Sequence, residues 1–116
     1  MNNSDNIQHV ELSLSEAKKI VELGVAVKRL EKNRDFQKVI LDGYFGDEAK
    51  RLVYLTADSV LDEKSMQSVW GDIRAIGSLR QYLINRKIMG DIAEKEVNDH
   101  SEMLEEMRLE DADQGE

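Results

Sequence analysis

The 116-residue chain contains no cysteine and no proline. The absence of cysteine excludes disulfides, thiolate zinc sites and cysteine nucleophiles, and it fits a reducing compartment. Proline is the residue that most strongly interrupts a helix, so its absence favours long, continuous helices. Hydrophobic residues make up 41% of the chain and charged residues 34%, whereas only 5% are aromatic. This composition is typical of a protein built from long helices.

Long hydrophobic runs are also missing. No stretch approaches the roughly 20 apolar residues of a membrane span, and the N-terminal sequence MNNSDNIQHV has neither the basic region nor the apolar run of a signal peptide. No segment alternates with the period of two that marks a β-strand. We therefore predict one small all-α domain, with no membrane association, that is too short for an enzyme with a deep active site.

The net charge of -8 is unevenly distributed. Residues 91–116 carry 11 acidic and two basic side chains, whereas residues 1–90 carry 13 acidic and 14 basic ones. Because nonspecific DNA affinity comes from cations that neutralise phosphates, this balance disfavours DNA binding, and sequence-specific binding to nucleic acid is not expected. The last residues, 101–116, have too little apolar surface to build a core, so they are predicted to form a mobile acidic tail.

The longest predicted helix covers residues 66 to about 107. Its apolar positions recur every three or four residues, which places them on one face. They are Met66, Val69, Trp70, Ile73, Ile76, Gly77, Leu79, Leu83, Ile84, Ile88 and Ile92. We expect Trp70, Ile73 and Leu83 in the core.

Three glycines interrupt the long helix: Gly71, Gly77 and Gly90. Each costs a helix about 1 kcal/mol relative to alanine. Their presence predicts the close approach of another backbone; the alternative is that they are neutral or mark kinks.

Shorter helices precede the long one. Ser13 and Glu16 have capping-box spacing, which predicts a first helix over residues 14–32 after a mobile arm, 1–12. A second helix should begin at Asn33 or Asp35 and stop at Gly43, and a third should run from Asp47 to about Asp58, followed by a linker or a capped restart. The two short helices are expected to fold across the first half of the long helix. Residues 13–100 would then form the helical domain.

Residues with catalytic potential are few. His9 and His100 lie outside any nucleophile or zinc spacing, and Glu96 with His100 would need a third metal ligand. No catalytic, cofactor-binding or metal-binding residue is predicted, so the chain is expected not to be an enzyme. The aromatic residues Phe36, Tyr44, Phe45 and Tyr54 are interpreted as core, with a partner groove as the alternative.

Residues near the middle of the long helix form the candidate interaction surface. Apolar side chains there lie beyond the reach of the short helices, so they should need a partner, which could be a second copy. Arg80 lies close to the apolar face and should pair either with Asp35, Asp42 or Asp47 or with a partner subunit. The candidate residues are Arg80, Ile84, Arg86, Lys87, Ile88 and Ile92.

Two stretches carry a family resemblance: DFQKVILDGYFGDEAKRLVYL (35–55) and DIRAIGSLRQYLINRKIMGDIAEKEV (72–97). Over residues 25–98 the chain resembles small proteins of tailed bacteriophages, often encoded among structural genes near the portal gene in short-tailed phages. The resemblance implies a place in the virion or in the infected-host cytoplasm, and phage structural proteins as partners. It implies a structural or assembly protein that docks on the portal, head or connector. The alternative is a soluble effector that binds a host protein, with the acidic end imitating nucleic acid. The shared motifs transfer no functional residues.

Overall fold

The structure, a computed structural model, describes residues 3–114. The helices of this range are α1 (Asn3–Glu31), α2 (Arg34–Phe36), the π-helix π1 (Gln37–Glu48), α3 (Ala49–Leu55) and α4 (Glu63–Gln114). No strand occurs within it. The predicted all-α class, with one long C-terminal helix packed by shorter ones, is therefore confirmed.

The chain divides into two compact units. The terminal unit comprises the residues up to Ala26 and those from Arg86 onward, and the central unit comprises Val27–Asn85. Both α1 and α4 contribute residues to each unit.

In the terminal unit, α1 and α4 pack side by side in antiparallel directions. The Asn3 side-chain amide donates a hydrogen bond of 3.0 Å to the Met107 carbonyl oxygen, and Gly24 faces Gly90. Buried or half-buried positions recur every seven residues on both helices: Val10, Ala17 and Gly24 on α1, and Gly90, Val97 and Leu104 on α4. A seven-residue repeat of buried positions is the pattern of coiled-coil packing.

The backbones of the two helices are in close contact at a pair of glycines. A Cβ atom added to Gly24 would lie 2.9 Å from the Arg86 carbonyl oxygen and 3.0 Å from the Gly90 Cα. The prediction of close backbone packing is therefore confirmed for Gly90. Its partner, Gly24, was not predicted from the sequence. It is wrong for Gly71 and Gly77, where an added Cβ would meet no atom within 4 Å.

The core of the central unit joins α3 to the first half of α4. Leu52 packs with Val69 and Ile76, and the partly buried rings of Tyr44 and Phe45 lie against this cluster. The two ring centroids are 6.0 Å apart and the rings are tilted by 41°, an arrangement that aromatic pairs favour. The expectation that the short helical segments fold across the first half of the long helix is confirmed.

The first helix starts earlier than its sequence predicts. It begins at Asn3, so Ser13 and Glu16 lie inside α1 and form no cap. Burial of Val10 and Ala17 against α4 stabilises these early turns, and such packing overrides a local capping signal. The helix ends at Glu31, within one residue of the predicted end at residue 32.

The segment after α1 also differs in part from prediction. Asn33 caps it as expected, because its side chain accepts a 3.0 Å hydrogen bond from the Phe36 amide. Gly43 does not end the helix, and Asp47 does not begin another, since both lie within π1. No residue of the described range has a positive φ angle, so Gly43 does not adopt the left-handed conformation that would terminate a helix.

The restart of the chain at α4 is capped, which is one of the two alternatives that the sequence left open for this segment. The Asp62 carboxylate accepts a hydrogen bond of 2.7 Å from the Ser65 amide, and this bond lowers the pKa of Asp62. The helix then continues to Gln114. The acidic residues 101–114 thus belong to α4, and Leu104 among them is buried. The predicted boundaries at 12 and 100 fall inside helices, whereas the mobility predicted for the two ends stays a prediction.

Trp70 is not a core residue. Its side chain is 48% exposed, whereas Leu83 is buried as predicted and Ile73 packs partly buried against the core. Apart from Ala93, the buried positions of α4 follow the heptad series that contains Val69 and Leu83. Trp70 lies one residue, about 100° of helix rotation, away from that series.

Candidate interaction surface

Around Gly90 in the terminal unit, small residues of α4 face inward and large ones face solvent. Gly90 and Ala93 are buried, whereas Ile88 is 51% exposed and Ile92 is 52% exposed. Ile88 and Ile92 are four residues apart and therefore lie on one face of α4. The approach of Gly24 to Gly90 explains this arrangement, because helices in backbone contact leave no room for a branched side chain between them.

Charged side chains border the isoleucine pair. Lys87, Asp91 and Glu94 follow one another at steps of four and three residues, so they line one flank of the exposed face. Lys87 precedes both isoleucines, Asp91 lies between them and Glu94 follows them. Lys95, four residues after Asp91, lies on the same flank, which therefore carries charges of both signs.

The other candidate residues occupy different environments. Arg80 is exposed and Ile84 half-buried, both in the central unit, whereas Arg86 and Lys87 are half-buried in the terminal unit. Within residues 3–114, Arg80 makes no ion pair with Asp35, Asp42 or Asp47. That intramolecular pairing was therefore wrongly predicted. Of the six residues, Ile88 and Ile92 form the exposed apolar pair within one unit.

The aromatic residues are divided between core and surface. Tyr44 and Phe45 are partly buried against the core of the central unit, as predicted, and Phe36 is half-buried. Tyr54, by contrast, is 74% exposed. Its position on the outer side of α3, two residues after buried Leu52, accounts for the difference.

A groove that sequence reasoning missed runs along the terminal unit. It encloses about 880 Å³. Its lining combines leucines with side chains of both charges: Glu11, Leu14, Lys18, Lys19, Glu22, Leu104, Glu105, Arg108 and Leu109. The Arg108 guanidinium contacts the Glu11 carboxylate at 2.9 Å, and both side chains are largely exposed, so the pair contributes only about 0–1 kcal/mol. The seven-residue step from Val97 to Leu104 is the sequence signal that this segment packs on α1.

The two residues considered as metal ligands lie on the last third of α4. His100 is half-buried, with no hydrogen-bond partner for its Nδ1 atom, and Glu96 is exposed. The described residues contain no group of three or more side chains able to hold a metal ion. Among the helices of the same range, none combines the length and the hydropathy that crossing a membrane requires.

Comparison of the chain with known proteins identified no relative. No family model matches the chain, and no curated protein or solved structure matches it.

Proposed function

We propose that the protein is a non-enzymatic structural or assembly protein of a bacteriophage particle, which docks through its helical body on a larger component in the portal, head or connector region. The observation that carries this proposal is the outward position of Ile88 and Ile92 on a helix whose inner residues are glycine and alanine. Covering two half-exposed isoleucines would contribute about 1 kcal/mol each, half of the full transfer free energy. A contact this weak contributes to a firm attachment when it is repeated in several copies.

A particle provides such repetition. When several copies are held on one assembly, each further contact forms at a high effective concentration, so weak contacts add to a firm attachment. The phage setting comes from the sequence resemblance, and its second stretch, residues 72–97, contains both isoleucines. The virion or the infected-host cytoplasm is accordingly the proposed location.

Mass spectrometry of purified phage particles tests the proposal. A virion component should be present at a fixed ratio to the major structural proteins. Replacing Ile88 with Asp should lower its incorporation, because a carboxylate would be desolvated at the docking surface. The matched control is Leu12→Asp, since Leu12 is a 61% exposed residue of α1 in the same unit. Absence of the chain from particles, or equal incorporation of both variants, would contradict the proposal.

A second candidate is a soluble effector whose acidic end imitates nucleic acid. Residues 102–113 carry six carboxylates and one arginine on the continuous helix α4. Twelve helical residues extend about 18 Å, which gives about one carboxylate per 3 Å, close to the spacing of phosphates along one DNA strand. Capture of a host DNA-binding protein that is released by double-stranded DNA and by salt would favour this function. The matched control is the full chain in which the six carboxylates of residues 102–113 are changed to amides.

A further inference from the structure

We propose that π1 is a conformational switch of the central unit, which exchanges between the observed π-helix and an α-helix of the same 12 residues. In the observed form, Leu52 of the following helix α3 lies in the core. In the α-helical form, α3 is turned and Leu52 leaves the core. The proposal goes beyond the proposed function, because it concerns the central unit alone and needs no partner.

The first argument is the length of π1. The hydrogen bonds of a π-helix join residues five apart, and this backbone occurs mostly as a single turn within an α-helix, frequently at functional sites. In this chain it continues for 12 residues, from Gln37 to Glu48. No residue of π1 is buried, so complete burial of its own side chains does not hold the segment in this unfavoured form.

The second argument is that packing of the central unit favours the π-helix. Buried or half-buried positions recur there at steps of four residues: Phe36, Ile40, Tyr44, Glu48 and Leu52. Four residues of an α-helix turn by about 400°, so the first and last of these positions would point about 160° apart. Because its hydrogen bonds span five residues, a π-helix holds more residues per turn and compensates for this drift. The π-helix thus keeps the row on the side of the core.

The third argument is that one glycine sets the balance between the two forms. A Cβ atom added to Gly43 would lie 3.1 Å from the Lys38 carbonyl oxygen, five residues earlier. At Gly46 the corresponding distance, to the Leu41 carbonyl oxygen, is 3.9 Å, which is an ordinary contact. A side chain at position 43 would therefore crowd the π-helical backbone, whereas in an α-helix alanine is more favourable than glycine.

The backbone and the packing of π1 thus have opposite preferences. Local geometry favours an α-helix, whereas the core favours the π-helix that Gly43 permits. Two packings of one sequence that are balanced in this way form a two-state element. Conversion to the α-helix takes Leu52 away from Val69 and Ile76, with which it forms the core. The hydrogen-bond pattern of π1 is thereby coupled to opening of the central unit.

Nuclear magnetic resonance of the isotope-labelled full chain tests the switch. Scalar couplings across hydrogen bonds identify the carbonyl group that each amide contacts, which lies five residues earlier in a π-helix and four residues earlier in an α-helix. Relaxation dispersion detects exchange on the microsecond-to-millisecond scale and gives the fraction of the minor form. The parent should show the five-residue pattern in its major form, together with exchange over residues 37–55.

Gly43→Ala should raise the fraction of the α-helical form about fivefold, because alanine favours the α-helix and its Cβ atom is crowded in the π-helix. The matched control is Gly46→Ala. Its added Cβ atom makes an ordinary contact, so both forms accommodate it and the fraction should stay unchanged. Circular dichroism melts establish that each variant is folded.

Three results would overturn the proposal: a parent with the four-residue pattern throughout, a parent without exchange over residues 37–55, or equal effects of the two alanine variants. If Gly43→Ala does not fold, the parent decides alone. Exchange with a minor form whose carbon chemical shifts are α-helical then supports the switch, and any other minor form, or none, contradicts it.

Discussion

The contact between Gly24 and Gly90 predicts an inverted response to alanine. In an ordinary helix, replacing glycine with alanine stabilises by about 1 kcal/mol. At Gly24 the new methyl carbon would lie 2.9 Å from the Arg86 carbonyl oxygen, and at Gly90 it would lie 3.0 Å from the Gly24 Cα. Both obstacles are backbone atoms, which cannot rotate away as a side chain does.

The cost follows from the separation that the methyl group requires. Carbon atoms prefer a distance of about 3.5–4.0 Å, so the helices must move apart by roughly half an ångström to one ångström and loosen the contacts beside the crossing. Overpacking of this kind costs about 1–3 kcal/mol. After subtraction of the helix-propensity gain of about 1 kcal/mol, Gly90→Ala should destabilise the terminal unit by up to about 2 kcal/mol.

Gly71→Ala and Gly77→Ala are the matched controls. Both residues lie in α4, but an added Cβ would meet nothing within 4 Å, so each change should stabilise by about 0.5–1 kcal/mol. Thermal melting followed by circular dichroism gives the direction of each change. Amide hydrogen exchange assigns it to the terminal or the central unit, which is needed because two units need not unfold in one step.

The direction of the change in melting temperature tests the contact between the two glycines. If Gly24→Ala and Gly90→Ala raise the melting temperature as much as Gly77→Ala does, the two helices do not make backbone contact. A rise at one of the two positions alone would refute the mutual contact in the same way, because each glycine is the other's obstacle.

Three further predictions concern the core and the capping of α4. Leu104→Ala should destabilise the terminal unit by about 2–4 kcal/mol through loss of buried surface. Leu109→Ala, at a 62% exposed position, should leave urea unfolding unchanged. Equal effects of the two changes would mean that the acidic end does not pack. Leu52→Ala should cost the central unit about 2–5 kcal/mol, and protection from hydrogen exchange around Ile76 that persists unchanged would count against the described core. The pKa of Asp62 is lowered below its ordinary 3.8 by the hydrogen bond from Ser65, so its contribution to stability is present above that pH and is lost as the pH falls through the lowered pKa. Melting of Asp62→Ala against pH should therefore show a deficit at neutral pH that disappears in acid, and a deficit that is constant with pH would refute the assignment.

The helical class and several boundaries could be predicted because they depend on local signals. A proline-free chain with apolar residues at helical spacing has few alternatives to helix. Asn33 precedes a helix and carries a side chain that accepts a backbone hydrogen bond, and such a cap is readable from a few residues. The exposed position of Trp70 could not be read in this way. It neighbours Val69, and the choice between the two depends on which part of α4 faces the rest of the central unit.

The ends of the chain were harder to predict because their helices depend on each other. The turns before Ser13 have weak apolar character, and the acidic residues after His100 repel one another. Neither segment predicts a packed helix by itself. In the structure Val10 and Leu104 are both buried. The contact between Glu11 and Arg108 joins residues 97 apart in sequence, and such a contact has no local signature.

The exposure of Ile88 and Ile92 also depends on how two distant helices pack together. Ile84, Ile88 and Ile92 look like a core stripe in the sequence, because isoleucines spaced by four residues on a helix are usually buried. The decisive residue is Gly24 on the other helix, which brings a backbone against Gly90 and so assigns the inward side of α4 to glycine and alanine. Once that side is filled by backbone contact, Ile88 and Ile92 have only the outward side to occupy. Their exposure is therefore a consequence of how the terminal unit packs.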